Sequence, residues 1–183
     1  MSKAGISLLE MLVVIAVTAM IGVLAAPRLT ALFEAQGAAS VSRALQLSLG
    51  QARYEAIRRG TVVVACKSGA GDGCDPDAGW EDGWLVFEDP VGYRDCQLEP
   101  GGDVCAPGGG AVLQVQNRLG YSFRVSHNHN VQKRVVFQPD GQSRGYTGRF
   151  TVCSEDSTGI TGFAISQTGR MRSLGSSEYL PCP

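Results

Sequence analysis

The chain has 183 residues, of which 44% are hydrophobic and 18% are charged, and its formal net charge is −1. This length fits one domain of ordinary size or two small ones, and a composition this apolar excludes a disordered chain. The near-zero net charge excludes a globally basic nucleic-acid binder but leaves room for a local basic patch.

The charges are distributed unevenly along the chain. Residues 1–59 carry six basic and three acidic side chains, residues 60–116 carry two and ten, and residues 117–183 carry eight and four. The net value therefore hides an acidic middle and a basic C-terminal third.

The first distinctive segment is an apolar run from Ile6 to Ala26 that contains one charged residue, Glu10. A helix of this length rises about 30 Å, which is enough to cross the hydrocarbon core of a bilayer. A secretory signal peptide has a shorter apolar core, but the letters VLAAP imitate its cleavage site, so a cleaved signal and a simple signal anchor remain alternatives. A carboxylate at the centre of a membrane helix costs about 2.5–3.5 kcal/mol, so we expect Glu10 to have a partner and a role.

Cleavage after Gly5 would place Glu10 in the first turns of a helix, where the helix dipole favours an anion. The new amine of a neighbouring subunit could then neutralise the carboxylate and fix the register of assembly. The letters GISLLE followed by MLVV resemble the class III signal of type IV pilins and type II secretion pseudopilins. This resemblance implies that a prepilin peptidase removes residues 1–5 and methylates the amine of Ile6, where the family usually has Phe. Pro27 stands where pilin helices often carry a kink-forming proline.

The helix is predicted to continue through residues 27–59 as an amphipathic half, after a transmembrane or filament-core half in residues 6–26. Arg58 and Arg59 before Gly60 predict its C-terminus. Its apolar positions recur at spacings of four, four, three and four, and so share one helical face: Val41, Leu45, Leu49, Ala52 and Ala56.

All six cysteines lie beyond the N-terminal 65 residues: Cys66, Cys74, Cys96, Cys105, Cys153 and Cys182. An even number in a glycine-rich region favours disulfide bonds and an oxidising compartment, and no C-x₂-C pair indicates zinc. The two shortest spacings favour Cys66 with Cys74 and Cys96 with Cys105, which leaves Cys153 for Cys182. Six cysteines allow about 15 connectivities, so other pairings and free buried thiols remain open.

Residues 60–183 are predicted to form a globular β domain. The 24 glycines show no collagen period, and they separate short β-branched and aromatic runs. The spacing of these runs indicates an antiparallel sheet or sandwich, which together with the helix gives an α+β fold. The predicted strands are Thr61–Cys66, Gly83–Glu88, Val112–Gln116, Tyr121–Val125, Arg134–Gln138, Arg149–Cys153, Gly162–Ser166 and Arg170–Arg172.

A tryptophan motif narrows the resemblance. The segment GWEDGWLVFED, from Gly79 to Asp89, resembles the W-x-x-G-W-x-x-F-x-D signature of the GspH/FimT group, and the turn from Phe137 to Gly141 also matches. That group contains the H-type minor pseudopilin of type II secretion and the FimT/FimU minor pilins. The resemblance implies a type IV pilin-like fold, with a long N-terminal helix packed on the antiparallel β domain.

The same resemblance implies a structural subunit that assembles with other pilins or pseudopilins into a filament. Its expected partners are membrane lipid before assembly, the prepilin peptidase and an inner-membrane assembly platform. The expected location is the bacterial inner membrane, crossed once, with the globular domain in the periplasm, and a pilus or pseudopilus after assembly.

No catalytic constellation is present, so we expect neither enzymatic activity nor a cofactor. His127 and His129 would give a metal only two ligands, and their segment is predicted to be a polar loop. Asp72, Asp75 and Asp77 resemble part of a calcium loop, but the downstream glutamate is misplaced for an EF-hand, which favours a solvated acidic loop. The sequence therefore predicts no metal site.

Arg170 and Arg172 point the same way if their segment is extended, and two such guanidinium groups suit phosphate oxygens. The letters GRMR that contain them resemble the G-R-x-R motif of FimT-type pilins linked to DNA capture in natural transformation. The resemblance therefore implies that both arginines contact the DNA backbone. An alternative is that they only protect a sheet edge from aggregation. Further basic residues on nearby predicted strands or turns could enlarge the patch: Lys133, Arg134, Arg144 and Arg149.

Three functional hypotheses follow. The chain is a structural or priming subunit of a type II secretion pseudopilus, the corresponding subunit of a type IV pilus, or a competence pilin whose main role is DNA capture. Only the third depends on Arg170 and Arg172.

Overall fold

A computed structural model describes residues 8–99, 101–119 and 123–183, except for the side chains of residues 21–31. The N-terminal helix, α1, runs from Leu8 to Arg59. The helix ends at the predicted residue. The backbone N–H of Gly60 donates to the carbonyl of Ala56 at 3.0 Å, and Gly60 has a φ of +65°, which glycine adopts without steric cost. The chain forms two compact units, divided between Gln36 and Gly37.

In the first unit, the described side chains of α1 leave an apolar surface exposed. Glu10 is also exposed, within this apolar stretch. Within the residues that the structure describes, no helical stretch combines the length and the hydropathy needed to cross a membrane. Nine large apolar side chains of this stretch are each at least half exposed: Leu8, Leu9, Met11, Leu12, Val13, Val14, Ile15, Val17 and Met20.

In the second unit, α1 buries the face that its apolar spacing predicted. Ala38 extends this face at its N-terminal end, and Ser42 and Ser48 are buried beside it. The five predicted positions are each at most 3% exposed: Val41, Leu45, Leu49, Ala52 and Ala56.

Eight strands follow the helix and form two four-stranded sheets in which every pairing is antiparallel. Sheet 1 has the strand order β3-β2-β1-β5, and sheet 2 has the order β4-β6-β7-β8. The predicted α+β architecture is therefore confirmed, with its strands divided between two sheets. The strands are β1 (Val63–Lys67), β2 (Gly83–Glu88), β3 (Val112–Asn117), β4 (Arg124–His127), β5 (Arg134–Phe137), β6 (Gly148–Cys153), β7 (Gly159–Ile165) and β8 (Met171–Ser173).

The two sheets and the second-unit part of α1 share one hydrophobic core. Phe150 of β6 stacks on Phe163 of β7 with ring centroids 4.9 Å apart, and it meets Trp80 edge to face at 5.6 Å. These three aromatic side chains are fully buried. Sheet 1 contributes Val63, Ala65, Trp84, Val86, Val135 and Phe137 to this core, and sheet 2 contributes Val125, Phe150, Val152, Phe163 and Ile165.

A second hydrophobic cluster lies on the outer face of sheet 1 and includes Val64, Leu85 and Phe87. The loops that follow β1 and β2 cover it, and they are joined where the backbone N–H of Leu98 donates to the carbonyl of Asp72 at 2.7 Å. Each loop is closed by one disulfide bond, and a third ties the C-terminus to β6. All six cysteines are paired as the spacings favoured: Cys66–Cys74, Cys96–Cys105 and Cys153–Cys182.

Strand β4 departs from the sequence prediction. A strand was expected at Tyr121–Val125, but β4 spans Arg124–His127, and residues 120–122 lie outside the described part of the chain. The prediction of a polar loop was therefore wrong for His127, which pairs with Phe150 of β6. The register follows from Val125, which lies opposite Val152 in the core.

Candidate functional site

Three residues form a row across sheet 2. Arg149 of β6 pairs with Ala164 of β7, and Ala164 pairs with Arg172 of β8. Residues paired directly across neighbouring strands project from the same side of a sheet. Because the adjacent residues Phe150 and Ile165 are buried in the shared core, this row faces away from the core. Both arginines are exposed on that outer side.

Arg170 directly precedes β8 and follows a tight turn. The backbone N–H of Ser166 donates to the carbonyl of Arg170 at 2.9 Å, and the N–H of Arg170 donates to Ser166 Oγ at 3.2 Å. The Arg170 side chain is exposed, and its guanidinium forms no hydrogen bond or ion pair with any described residue. Together with Arg172 it borders a groove of about 450 Å³. We call Arg149, Arg170 and Arg172 the arginine face.

The C-terminal segment, residues 174–183, lies over the neighbouring part of the outer side of sheet 2. The disulfide bond between Cys153 and Cys182 attaches it to β6. The backbone N–H of Leu180 donates to Thr151 Oγ1 at 2.9 Å, which holds the segment on the same strand. Its path brings one acidic residue against the arginine face.

That residue is Glu178, whose carboxylate binds the Arg172 guanidinium through both oxygens. Arg172 Nη1 donates to Oε2 at 2.9 Å, and Nη2 donates to Oε1 at 2.5 Å. The backbone N–H of Gly175 donates to Oε2 at 3.1 Å, and Arg149 Nη1 donates to the backbone carbonyl of Glu178 at 3.0 Å. The hydrogen bonds from Arg172, followed by that from Gly175, lower the pKa of Glu178 to about 2. The same ion pair raises the pKa of Arg172.

The other predicted basic residues lie on a turn beside sheet 2 and at the beginning of β5 in sheet 1. Arg144 is bound to Asp140 at 2.9 Å, on a turn that contacts the turn before Arg170. Arg134 begins β5 of sheet 1, where it pairs with Cys66 and shares its outer face, and Lys133 directly precedes this strand. The structure therefore brings together Arg149, Arg170 and Arg172 and separates them from Lys133 and Arg134.

The acidic middle of the chain covers the opposite sheet. Asp72, Asp95, Glu99 and Asp103 are exposed on the two disulfide-closed loops that lie over the outer face of sheet 1. The backbone N–H of Asp77 donates to a neighbouring aspartate side chain, as in a solvated turn. In the part of the chain that the structure describes, no three His, Cys, Asp or Glu side chains are placed to hold a metal ion.

Sequence reasoning missed two charged residues. Lys67 ends the apolar strand β1 and is 5% exposed. Burial lowers the pKa of its ammonium group, and the carboxylates of Glu81 and Asp75 oppose that shift. The sequence feature that could have indicated it is its position directly after the predicted strand Thr61–Cys66. Glu178 was missed because its contact with Arg172 depends on where the C-terminal segment lies. The sequence feature that could have indicated this contact is an acidic residue between Arg172 and Cys182.

The predicted processing and assembly residues are described only in part. Gly5 and Ile6 lie outside the described residues. Glu10 is exposed in the first turn of α1. Pro27 lies within α1, and its side chain is outside the described set.

Comparisons with known proteins give three findings. A family model described as "Type II transport protein GspH" matches residues 41–169. Two crystal structures of the type IV minor pilin FimU from Pseudomonas aeruginosa (strain PAO1) also match. The first is 19% identical, with a TM-score of 0.55, and the match covers 79% of this chain and 93% of that chain. The second is 20% identical, with a TM-score of 0.52, and the match covers 76% and 94%. The likeness to these structures shows a shared pilin-like fold. No curated protein sequence matches the chain.

Proposed function

The chain belongs to the GspH family of minor pilins and pseudopilins, and on this premise we propose that it is a non-enzymatic subunit of a type II secretion pseudopilus or a type IV pilus. In that role it serves protein secretion or pilus assembly. The family is a structural one, and its members assemble with other pilins in a filament. The proposal rests on the family match over residues 41–169.

We propose that the prepilin peptidase cuts between Gly5 and Ile6 and methylates the Ile6 amine. Residues 6–26 then anchor the chain in the inner membrane, and residues 60–183 stay in the periplasm. The exposed apolar side chains from Leu8 to Met20 support this proposal, because such a surface needs a membrane or a protein partner to cover it. The three disulfide bonds support the oxidising location.

Glu10 is the proposed register residue. It is a carboxylate within an exposed apolar stretch of helix. In an assembled bundle it would be desolvated, so it needs a cation, and the Ile6 amine of a neighbouring subunit supplies one. On this proposal, helices leave the inner-membrane platform one by one and enter the filament, where burial keeps their apolar surface from water.

Mass spectrometry of the chain purified from its host's membranes tests this proposal. The expected mature protein begins at Ile6, carries one methyl group and lacks six thiol hydrogens. A Gly5→Val variant should retain its leader. A Glu10→Val variant should still be cut but should be lost from the sheared filament fraction, while Glu10→Asp should remain in it. A wild-type chain with an intact leader, or one cut near Ala26, would refute the proposal.

A second candidate function is DNA capture, as expected for a competence pilin. The observation that favours it is the arginine face: Arg149 and Arg172 are exposed on the outer side of sheet 2, and exposed Arg170 borders the same groove as Arg172. Guanidinium groups bind phosphate oxygens, and such contacts give weak, sequence-independent binding that falls steeply with salt. Arg170 is the member whose guanidinium is unpaired among the described residues.

Gel-shift titration of the full chain in non-ionic detergent tests this second function. The double variant Arg170→Gln/Arg172→Gln should lose most of the affinity for duplex DNA. The matched control, Lys133→Gln/Arg134→Gln, removes two charges at the N-terminal end of β5 and should bind nearly as well as wild type. Equal affinities for all three proteins would exclude the arginine face as a DNA site. Secretion and transformation assays in a deletion strain distinguish the host machines.

A further inference from the structure

We infer that Glu178 occupies the anion-binding position of the arginine face and sets how tightly this face binds DNA. The inference rests on the proposed DNA function. On this inference, the chain's own C-terminal segment competes with the phosphate for Arg172. A ligand phosphate must displace the Glu178 carboxylate before it can use both terminal nitrogens of Arg172 as that carboxylate does.

The competition follows from the donors involved. Glu178 takes one N–H from each terminal nitrogen of Arg172, at 2.9 and 2.5 Å. A phosphate that approaches the end of the guanidinium and binds through two oxygens needs the same pair of donors. Arg172 Nη1 also donates to the backbone carbonyl of Ser173 at 3.4 Å, which leaves Nε and one hydrogen of Nη2 for another acceptor. A phosphate bound there would lie beside the Glu178 carboxylate, whose negative charge repels it, so carboxylate and phosphate compete for Arg172.

The competitor is held in place by contacts that do not involve Arg172. The disulfide bond between Cys153 and Cys182 attaches the C-terminal segment to β6, and the Gly175 N–H holds Glu178 Oε2 at 3.1 Å. A carboxylate restrained in this way has a high effective concentration at its partner. Arg149 is also engaged, through the Glu178 backbone carbonyl at 3.0 Å. The chain therefore offers Arg170 first, and the donor pair at the end of the Arg172 guanidinium only after Glu178 has moved.

Fluorescence anisotropy with a fluorescein-labelled DNA duplex tests this inference on the full chain in detergent. The variant is Glu178→Gln, and the control is Glu99→Gln, which removes the same charge from an exposed loop on sheet 1. Glu178→Gln should bind the duplex more tightly than the control by about threefold at low salt. Its plot of log affinity against log salt should be steeper by about 0.9, the value of one additional phosphate contact. In an Arg172→Gln background, Glu178→Gln should add no more than Glu99→Gln does.

The outcomes separate the inference from the function it rests on. If wild type binds DNA and loses affinity on Arg170→Gln, but Glu178→Gln and Glu99→Gln are equal, the DNA function stands and the inference is wrong. A gain that persists without Arg172 shows a general charge effect and also overturns it. If wild type fails to bind but Glu178→Gln binds, the inference holds and DNA capture requires a displaced C-terminal segment. If no protein binds at low salt, both fail.

Discussion

The indole Nε1 of Trp80 donates a hydrogen bond of 3.0 Å to the backbone carbonyl of Val131. Trp80 lies just before β2 of sheet 1, and Val131 ends the single-turn helix that follows β4 of sheet 2. Both residues are fully buried. The bond therefore fixes the connection between the sheets, and it assigns a structural role to the first tryptophan of the W-x-x-G-W motif.

Replacing Trp80 with Phe should destabilise the second unit strongly. The change removes the donor and leaves the Val131 carbonyl buried without a partner, which costs about 1–3 kcal/mol beyond the lost ring volume. Urea unfolding of the full chain in detergent, followed by the fluorescence of the remaining tryptophan, measures this loss.

Trp84→Phe is the matched control. Trp84 is also buried, but its Nε1 has no hydrogen-bond partner among the described residues. Phe at this position loses ring volume and also removes an unsatisfied buried donor, so its cost should be smaller by about 1–3 kcal/mol. Equal losses for the two variants would contradict the role given to Trp80.

Gly169→Ala should destabilise the turn before β8 more than Gly60→Ala destabilises the end of α1. Both glycines have positive φ, of +72° and +65°, which costs a residue with Cβ about 1–2 kcal/mol. A Cβ on Gly169 would also lie 2.2 Å from the carbonyl oxygen of Gly141, whereas one on Gly60 would meet nothing within 4 Å. Thermal unfolding of the two variants under one set of conditions should show the larger shift for Gly169→Ala, and the reverse order would refute the steric argument.

The three disulfide bonds should contribute unequally to stability. Cys153–Cys182 spans 29 residues and Cys66–Cys74 spans 8. On the chain-entropy model, these loops correspond to about 3.6 and about 2.5 kcal/mol. Urea unfolding of the two paired Cys→Ser variants should therefore show the greater loss for Cys153→Ser/Cys182→Ser. A smaller loss for this pair than for Cys66→Ser/Cys74→Ser would contradict the ordering by loop length.

Glu178 should titrate far below an ordinary glutamate. Its pKa is lowered from 4.5 to about 2 in the folded protein, so the ion pair stabilises the fold above pH 4.5 and this contribution is lost as the pH falls towards 2. Carbon-detected NMR of the side-chain carboxyl measures this value. Arg172→Gln should return the pKa of Glu178 towards 4.5, and Arg144→Gln, which breaks the Asp140 ion pair, should leave it unchanged.

Sequence periodicity predicted the parts of the fold that depend on local pattern. The spacing of Val41, Leu45 and Leu49 identified the buried face of α1, because one face of a helix recurs every three to four residues. The short separation between Cys66 and Cys74 favoured their pairing, because nearby cysteines close a small loop.

Features that depend on long-range pairing could not be predicted from local sequence patterns. The register of β4 is set by Val125 against Val152 of β6, so its bounds differ from the local strand signal. Arg134 and Arg149 looked like neighbours in one basic patch, but they belong to different sheets. Glu178 reaches Arg172 only because the C-terminal segment is attached to β6, and no local pattern predicts that contact.

The three cystine cross-links restrict where this protein can mature. Two of them close the loops over sheet 1, and the third attaches the last residues to sheet 2. A chain kept among the reducing thiols of the cytosol would carry six free sulfhydryl groups, and the segments that cover the two sheets would lose their covalent attachment. Recombinant production therefore calls for export or an oxidising host strain, and a preparation that reacts with Ellman's reagent before unfolding does not contain the native protein.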